Sequence, residues 1–445
     1  MPRATSLAPS RRWLAALAAA LGLAWLLRAP PEPVPSAAVA PAPPSVSAPP
    51  PAPAAQPAEP MPPAPAPASA RLRVAIWVPC EGTRRVLDDP ERIPGLIADA
   101  RALGASDLLV QVLRGGRAWF SSSIADAEPL RAARERSGVD PLAVLLDDAH
   151  AAGLRVHAWV NTLSLASSRD AALLRRLGAG AVQVDRRGRS VLDYPDLQLP
   201  APDRDWYRMG TPQVWLDPAA PAVAETLAAL VEELVTRYPA LDGVHLDYIR
   251  HPDVIPFVPG SRFGVGLDFG YGEASRARFQ RDTGLVAPFR DSLENAERWD
   301  AWRRERVTEV VARSAAAARA ARPGIEISAA VWAYADRAYL SLYQDWRGWL
   351  DAGLLDFAVP MAYTRDDRLL RYLARASLGG VGGERVWIGL GAWLFTAEPG
   401  RARAQLELAR GLRPAGVALF SYDAIAGEPA LRASLAASPQ AASGG

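Results

Sequence analysis

The segment LDGVHLDYIRHPD, residues 241–253, reads as a buried strand that carries a histidine and a carboxylate two residues apart. Alternation along a strand puts His245 and Asp247 on one face and Val244, Leu246 and Tyr248 on the other. Arg250 follows three residues after Asp247. A carboxyl group beside an imidazole and a guanidinium suits general acid–base chemistry, because its pKa can be tuned by those neighbours. The plainer alternative is a structural carboxylate paired with Arg250 or His245, and two mutually satisfied buried imidazoles would be as ordinary as a working pair.

The elements that would position these groups alternate from Arg71 onward. Strand patterns fall at 73–79, 107–113, 155–161, 242–249, 325–332, 355–363, 385–393 and 416–423. Stretches with helical spacing lie between them, at 90–104, 140–154, 221–238, 297–321, 343–353, 366–377 and 401–412. The helix at 140–154 carries Asp140 as N-cap, Pro141 at its first position and Gly153 at its end. This repetition predicts an α/β fold, a parallel (β/α)8 TIM barrel, with long loops after strands 3 and 4 at 162–220 and 250–296. Loops that follow strands carry the active site in this fold, so the two insertions are expected to wall one side of the mouth.

In the third strand His157, Trp159 and Asn161 share the inward face, as His245 and Asp247 do in the fourth. Gln111, Trp332, Tyr363, Trp393, Ser421 and Asp423 hold comparable places on the other strands. This gathers aromatics, amides and carboxylates at one mouth, a composition that suits a sugar site. The chain has 14 Trp, and Trp119, Trp159, Trp215, Trp332 and Trp393 fall near strand ends or in the loops after them; packing in the core explains any single one equally well. Glycoside hydrolysis generally uses two carboxyl groups. Asp247 is the first candidate. Asp217, Glu273, Asp336, Glu398 and Asp423 lie on the same side, with Asp423 and Glu273 leading, whereas Asp242 and Asp356 start their strands at the opposite pole. The expected substrate-binding set is Gln111, His157, Trp159, Asn161, Trp215, His245, Arg250, Trp332, Tyr363 and Trp393.

The chain has 445 residues, half of them hydrophobic, ample for a large core. All 50 basic residues are Arg and the formal net charge is +2, which gives no footprint for nucleic acid. With one cysteine, Cys80, and four histidines, His150, His157, His245 and His251, neither a disulfide nor a cysteine or multi-histidine metal site is expected, and no cofactor. At the N-terminus Arg3, Arg11 and Arg12 precede an apolar run from Trp13 to Leu27 closed by Arg28. Fifteen apolar residues are short of the roughly 20 a spanning helix needs. Residues 1–28 therefore read as a secretory signal in preference to an uncleaved anchor. Residues 29–70 hold 17 prolines and read as an extended spacer. The expected organisation is signal or anchor (1–28), linker (29–70), barrel (71–428) and flexible tail (429–445).

Several ordered segments resemble one bacterial group. QVLRGGRAWFSS (111–122) is similar to its QVR-x-x-x-D-A-x-Y-x-S segment, and DPLAVLLDDAHAAGLRVHAWVN (140–161) to its DPL…AH-x-x-G-x-x-x-H-A-W-x-N block. VWLDP (214–218) resembles WLNPG, DGVHLDYIRHP (242–252) resembles DGIH-x-D-D-Y-x-YP, WRRERV (302–307) resembles WRRDNV, and FAVPMAY (357–363) resembles I-x-PQ-x-Y. These are motifs of the glycoside-hydrolase-like family 10 proteins. The resemblance implies a barrel with a glycosidase role tied to bacterial cell-wall glycan, with Asp247 matching the first Asp of the fourth-strand motif. Arg117, Tyr248 and Met361 stand where that family commonly has Asp, Asp and Gln. Chitinase-type barrels share MAY (361–363), but Ile249 stands at the position of their acidic Glu. The expectation is an envelope-targeted glycosidase acting on a polysaccharide, peptidoglycan glycan strands first, as a periplasmic or secreted monomer or one tethered to the membrane through its N-terminus. The rival is a non-catalytic glycan-binding barrel that scaffolds the envelope.

Overall fold

A computed structural model describes residues 72–257, 267–287, 292–380 and 382–436. The signal or anchor (1–28), the linker (29–70) and residues 437–445 of the expected tail lie outside the described residues.

Eight strands run parallel: β1 Arg73–Val78, β2 Asp107–Arg114, β3 Arg155–Asn161, β4 Gly243–Asp247, β5 Glu326–Trp332, β6 Phe357–Met361, β7 Trp387–Gly391 and β8 Gly416–Phe420. Each pairs with the next, and β8 pairs with β1, so the sheet closes into the expected barrel. The main helices are α1 Ile93–Ala102, α2 Pro141–Ala151, α3 Pro221–Arg237, α4 Leu293–Ala321, α5 Trp346–Asp351, α6 Asp367–Leu378, α7 Pro399–Gly411 and α8 Tyr422–Gly427. Asp140 caps α2 by accepting from the backbone N–H of Leu142 and Ala143, with Pro141 in the first turn. Val156, Ala158, Val160, Val244 and Leu246 pack outward among the helices. Trp77, Trp159, Phe357 and Trp387 fill the barrel itself.

Several strands end earlier than their apolar patterns. β4 stops at Asp247 because Tyr248 turns to φ 55°, the left-handed region, so Tyr248 leaves the outward face that alternation assigned to it. β8 stops at Phe420, and the segment from Tyr422 is helical. Helices Glu128–Ser137 and Ala335–Ser341 lie outside the stretches with helical spacing, in the connections after β2 and β5. The tail begins later than expected, because Pro429–Leu435 is a helix with Leu431 and Leu435 buried.

The insertions at 162–220 and 250–296 carry structure of their own. Tyr207–Met209 pairs antiparallel with Val254–Pro256, and the second insertion holds the helix Glu273–Thr283. They are bonded together: Asp217 Oδ2 accepts from Ser275 Oγ at 2.6 Å, and Arg278 donates to the Ala219 carbonyl. Asp217 is therefore a buried structural tie between the insertions.

At the pole where the strands begin, Arg73 is bonded to Asp107 and Glu326, and His157 Nε2 lies 3.1 Å from Asp107 Oδ1. Ser106 Oγ donates to Asp107 Oδ2 at 2.6 Å, and Arg155 pairs with Glu326. This corrects the expectation that His157 lies near the mouth. It does point inward, but it sits four residues below Asn161, ~13 Å of strand. Gly243 of the DGVH motif is required by it: a Cβ there would lie 2.1 Å from His157 Nδ1.

These partners hold the Asp107 carboxyl well below the usual carboxylate range, the His157 and Arg73 bonds outweighing a large desolvation. A carboxyl with a depressed pKa adds stability that is present above its unfolded pKa, ~4, and lost as pH falls. Asp107→Asn should therefore cost about 3–5 kcal/mol in denaturant unfolding at pH 7, and the gap from wild type should narrow below pH ~4. A gap that does not change with pH would contradict the network.

Candidate functional site

The end of β4 places Asp247 inside the barrel at its C-terminal mouth, in register with Asn161 of β3. Asp247 is only 6% exposed. Its Oδ2 accepts from Trp159 Nε1 at 3.1 Å, and its Oδ1 from the Tyr248 backbone N–H at 2.6 Å. Its carbonyl accepts from both the N–H and the Oγ1 of Thr162. The left-handed turn at Tyr248 aims that N–H back at the carboxyl. Burial raises the Asp247 pKa above its ordinary value, and the opposing Arg250 charge, the two hydrogen bonds and Arg114 do not cancel it. A fixed, buried carboxyl that holds its proton more tightly than an exposed one is suited to act as an acid.

Beside it, Arg250 is buried among three rings: its Cζ lies 4.7 Å from the Tyr248 centroid, 5.4 Å from Trp215 and 6.0 Å from Trp332. Trp215 is fully buried in the wall. On the other side an amide chain fixes Asn161. The Cys80 N–H must face the Gln111 oxygen, so Gln111 Nε2 donates to Asn161 Oδ1 at 3.1 Å. Asn161 Nδ2 is then left as a buried donor without a partner among the described residues.

His245 lies one level below, in register with Trp159. Its Nε2 accepts from Trp77 Nε1 at 3.0 Å, which puts the ring proton on Nδ1, donating to Ser328 Oγ at 2.9 Å. Burial pushes its pKa down to about 3, so it is neutral. It forms the floor of the site with both nitrogens occupied. Tyr363 closes the floor, its ring 6.5 Å from Trp77 and 5.6 Å from Phe420. Burial first, and the Asp247 carboxylate second, push its phenol well above the ordinary range. Trp393 stands 48% exposed on the turn after β7.

The other expected carboxylates are placed differently. Asp423 Oδ1 accepts from Arg84 N–H at 2.7 Å and Thr83 Oγ1 at 3.2 Å, which holds the loop after β1. Glu273 is exposed in the first turn of its helix in the second insertion. Glu398 is paired with Arg365 and Arg401, and Asp336 is exposed. None of these bonds to Asp247 among the described residues. Sequence reasoning missed Glu81, in the loop that Asp423 holds. Its carboxylate accepts from Arg114 at 3.0 Å and Arg117 at 2.9 Å, and Arg114 also acts on Asp247. Its position was the available signal: it stands three residues past β1, as Arg250 stands three past β4.

A family model described as "Glycosyl hydrolase-like 10" matches residues 71–369. The glycosyl hydrolase DigH of Escherichia coli (strain K12) is 27% identical over 277 residues, 59% of this chain and 55% of the relative. The glycosyl hydrolase YngK of Bacillus subtilis (strain 168) is 23% identical over 314 residues, 65% of this chain and 53% of the relative. The chain spans about half the length of these relatives. Among solved structures, the catalytic domain of beta-amylase from Paenibacillus polymyxa aligns with a TM-score of 0.50 at 12% identity, over 79% of this chain and 93% of that one. A beta-galactosidase from G. stearothermophilus aligns with a TM-score of 0.51 at 13% identity, over 80% and 52%. Likeness at such identities concerns the fold.

Trp159→Phe keeps a ring against Phe420 but removes the indole N–H from Asp247. A donor to a carboxylate favours its charged form, so the loss should raise the Asp247 pKa further. Carbon-13 NMR titration of labelled aspartate checks this, and an unmoved or lowered value would contradict the geometry.

Proposed function

This chain belongs to the glycosyl hydrolase-like 10 family, and from that premise we propose that it is a glycoside hydrolase in which Asp247 is the general acid. The observation that carries the proposal is the buried Asp247 carboxyl at the mouth, with both oxygens fixed and its pKa raised. A protonated Asp247 delivers its proton to the glycosidic oxygen as the bond to the anomeric carbon lengthens, so the leaving sugar departs as an alcohol. Trp159 and the Tyr248 N–H then stabilise the carboxylate that remains.

Glu81 is the complementary carboxyl this reading favours, as base or nucleophile. It shares Arg114 with Asp247, and its loop is positioned by Asp423. Asn161, Tyr363 and the neighbouring tryptophans supply donors and ring faces for a sugar. The leading substrate is the glycan strand of bacterial cell wall, from the family resemblance. The apolar run at 13–27 and the proline-rich spacer support a place in the envelope, secreted, periplasmic or tethered to the membrane. A monomer suffices for this chemistry.

The rival reading, a glycan-binding scaffold, draws on Tyr248 and Met361 standing where the motifs that this sequence resembles have Asp and Gln. Asp247→Asn separates the two. Glycan cleavage, read as new reducing ends by mass spectrometry, should fall at least ~10²-fold, with melting temperature close to wild type. Binding by the wild type without any cleavage would favour the scaffold. The acid works only while protonated, so the wild-type rate should fall as pH rises, at a pH above the ordinary aspartate range of ~4. An alkaline limb at the ordinary value would count against Asp247.

A further inference from the structure

Arg250 is 5% exposed, yet its Nε and Nη1 have no hydrogen-bond partner among the described residues. Asp247, whose carboxyl feels the Arg250 charge most among its neighbours, spends both oxygens on Trp159 and Tyr248. The rings of Trp215, Tyr248 and Trp332 stabilise the cation, but a ring is a much weaker N–H acceptor than an oxygen. The Nε–H and Nη1–H of this buried cation are therefore left for a ligand acceptor, and a carboxylate is the acceptor that also matches the charge.

The rest of the mouth is also rich in donors. Asn161 Nδ2 and Trp332 Nε1 are buried without partners among the described residues. The acceptors near them are already used: Gln111 Oε1 by Cys80, Asn161 Oδ1 by Gln111. Buried polar groups are normally paired. A set of unpaired donors around one carboxyl therefore describes the ligand, which must bring acceptors.

We propose that Arg250 is the specificity-determining residue of this mouth, binding a carboxylate carried by the sugar next to the cleaved bond, so that the substrate is an acidic glycan. The proposal rests on the glycosidase reading above. It also gives the site a consistent charge: with Asp247 protonated, the substrate carboxylate is the counter-ion of Arg250. A bound anion there further favours the Asp247 proton, which the acid role needs.

The test uses the full chain and two probes. One is peptide-free glycan of alternating N-acetylglucosamine and N-acetylmuramic acid with free lactyl carboxylates. The other is the same glycan after chemical reduction of those carboxyls to alcohols. Wild type should prefer the carboxylate form by at least about tenfold in kcat/KM, the size of a lost charge-assisted hydrogen bond, carried mostly in KM. Arg250→Gln should bring the carboxylate form down to the level of the reduced one, and Arg250→Lys should keep part of the preference. The wild-type comparison needs no variant to fold. Equal cleavage of both forms overturns the Arg250 assignment and leaves the hydrolase reading standing. Selective binding of the carboxylate form without cleavage, measured by calorimetry, supports the assignment and ends the hydrolase reading. Neither binding nor cleavage of either form overturns both.

Discussion

A carboxyl group taken out of water needs either a partner or a proton, and the two ends of this barrel meet that requirement in opposite ways. At the pole where the strands begin, Asp107 is surrounded by Arg73, His157 and Ser106 and stays far down the pH scale. At the mouth, Asp247 has two donors and a cation set among aromatic rings, and burial prevails. One fold thus holds one buried carboxyl whose charge is stabilised and one whose charge is disfavoured. The difference lies in what neighbouring strands place at the same level.

The mouth depends on layers beneath and around it. Trp77, His245 and Ser328 form a chain of hydrogen bonds across the barrel interior, with a neutral imidazole at its centre. This floor fixes the level at which Trp159 meets Asp247. On one side the Cys80–Gln111–Asn161 chain orients a side-chain amide. On the other the insertions, tied through Asp217 and Ser275, include Trp215, one of the rings around Arg250. Asp423 holds the loop that carries Glu81. Most polar groups near the site are therefore committed, which gives weight to the few that are not.

Much of this was legible in the sequence. Alternating strand and helix periods specify the barrel, and the period of two along LDGVHLDYIRHPD turns His245 and Asp247 inward. What the period does not specify is depth. His157, His245 and Asp247 all face inward, yet they occupy three levels, because level depends on where each strand begins and how the barrel is sheared. His157 therefore belongs to the opposite pole. Strand ends were also hidden: Tyr248 is a good strand former, and only the closed structure forces it to φ 55°. Glu81 lies in a segment without periodicity, and Asp423 lies past the point where β8 gives way to helix, so their relation to Arg114 and Arg84 follows from tertiary packing alone.

The central claim is that Asp247 and Arg250 act on one bound sugar. A crystal structure of Asp247→Asn with an N-acetylglucosamine–N-acetylmuramic acid oligosaccharide tests it most directly. The account predicts the glycosidic oxygen within ~3 Å of the residue 247 amide and a sugar carboxylate paired with the edge of Arg250. An oligosaccharide seated away from the end of β4, or one whose carboxylates face solvent while Arg250 stays unpaired, would contradict it.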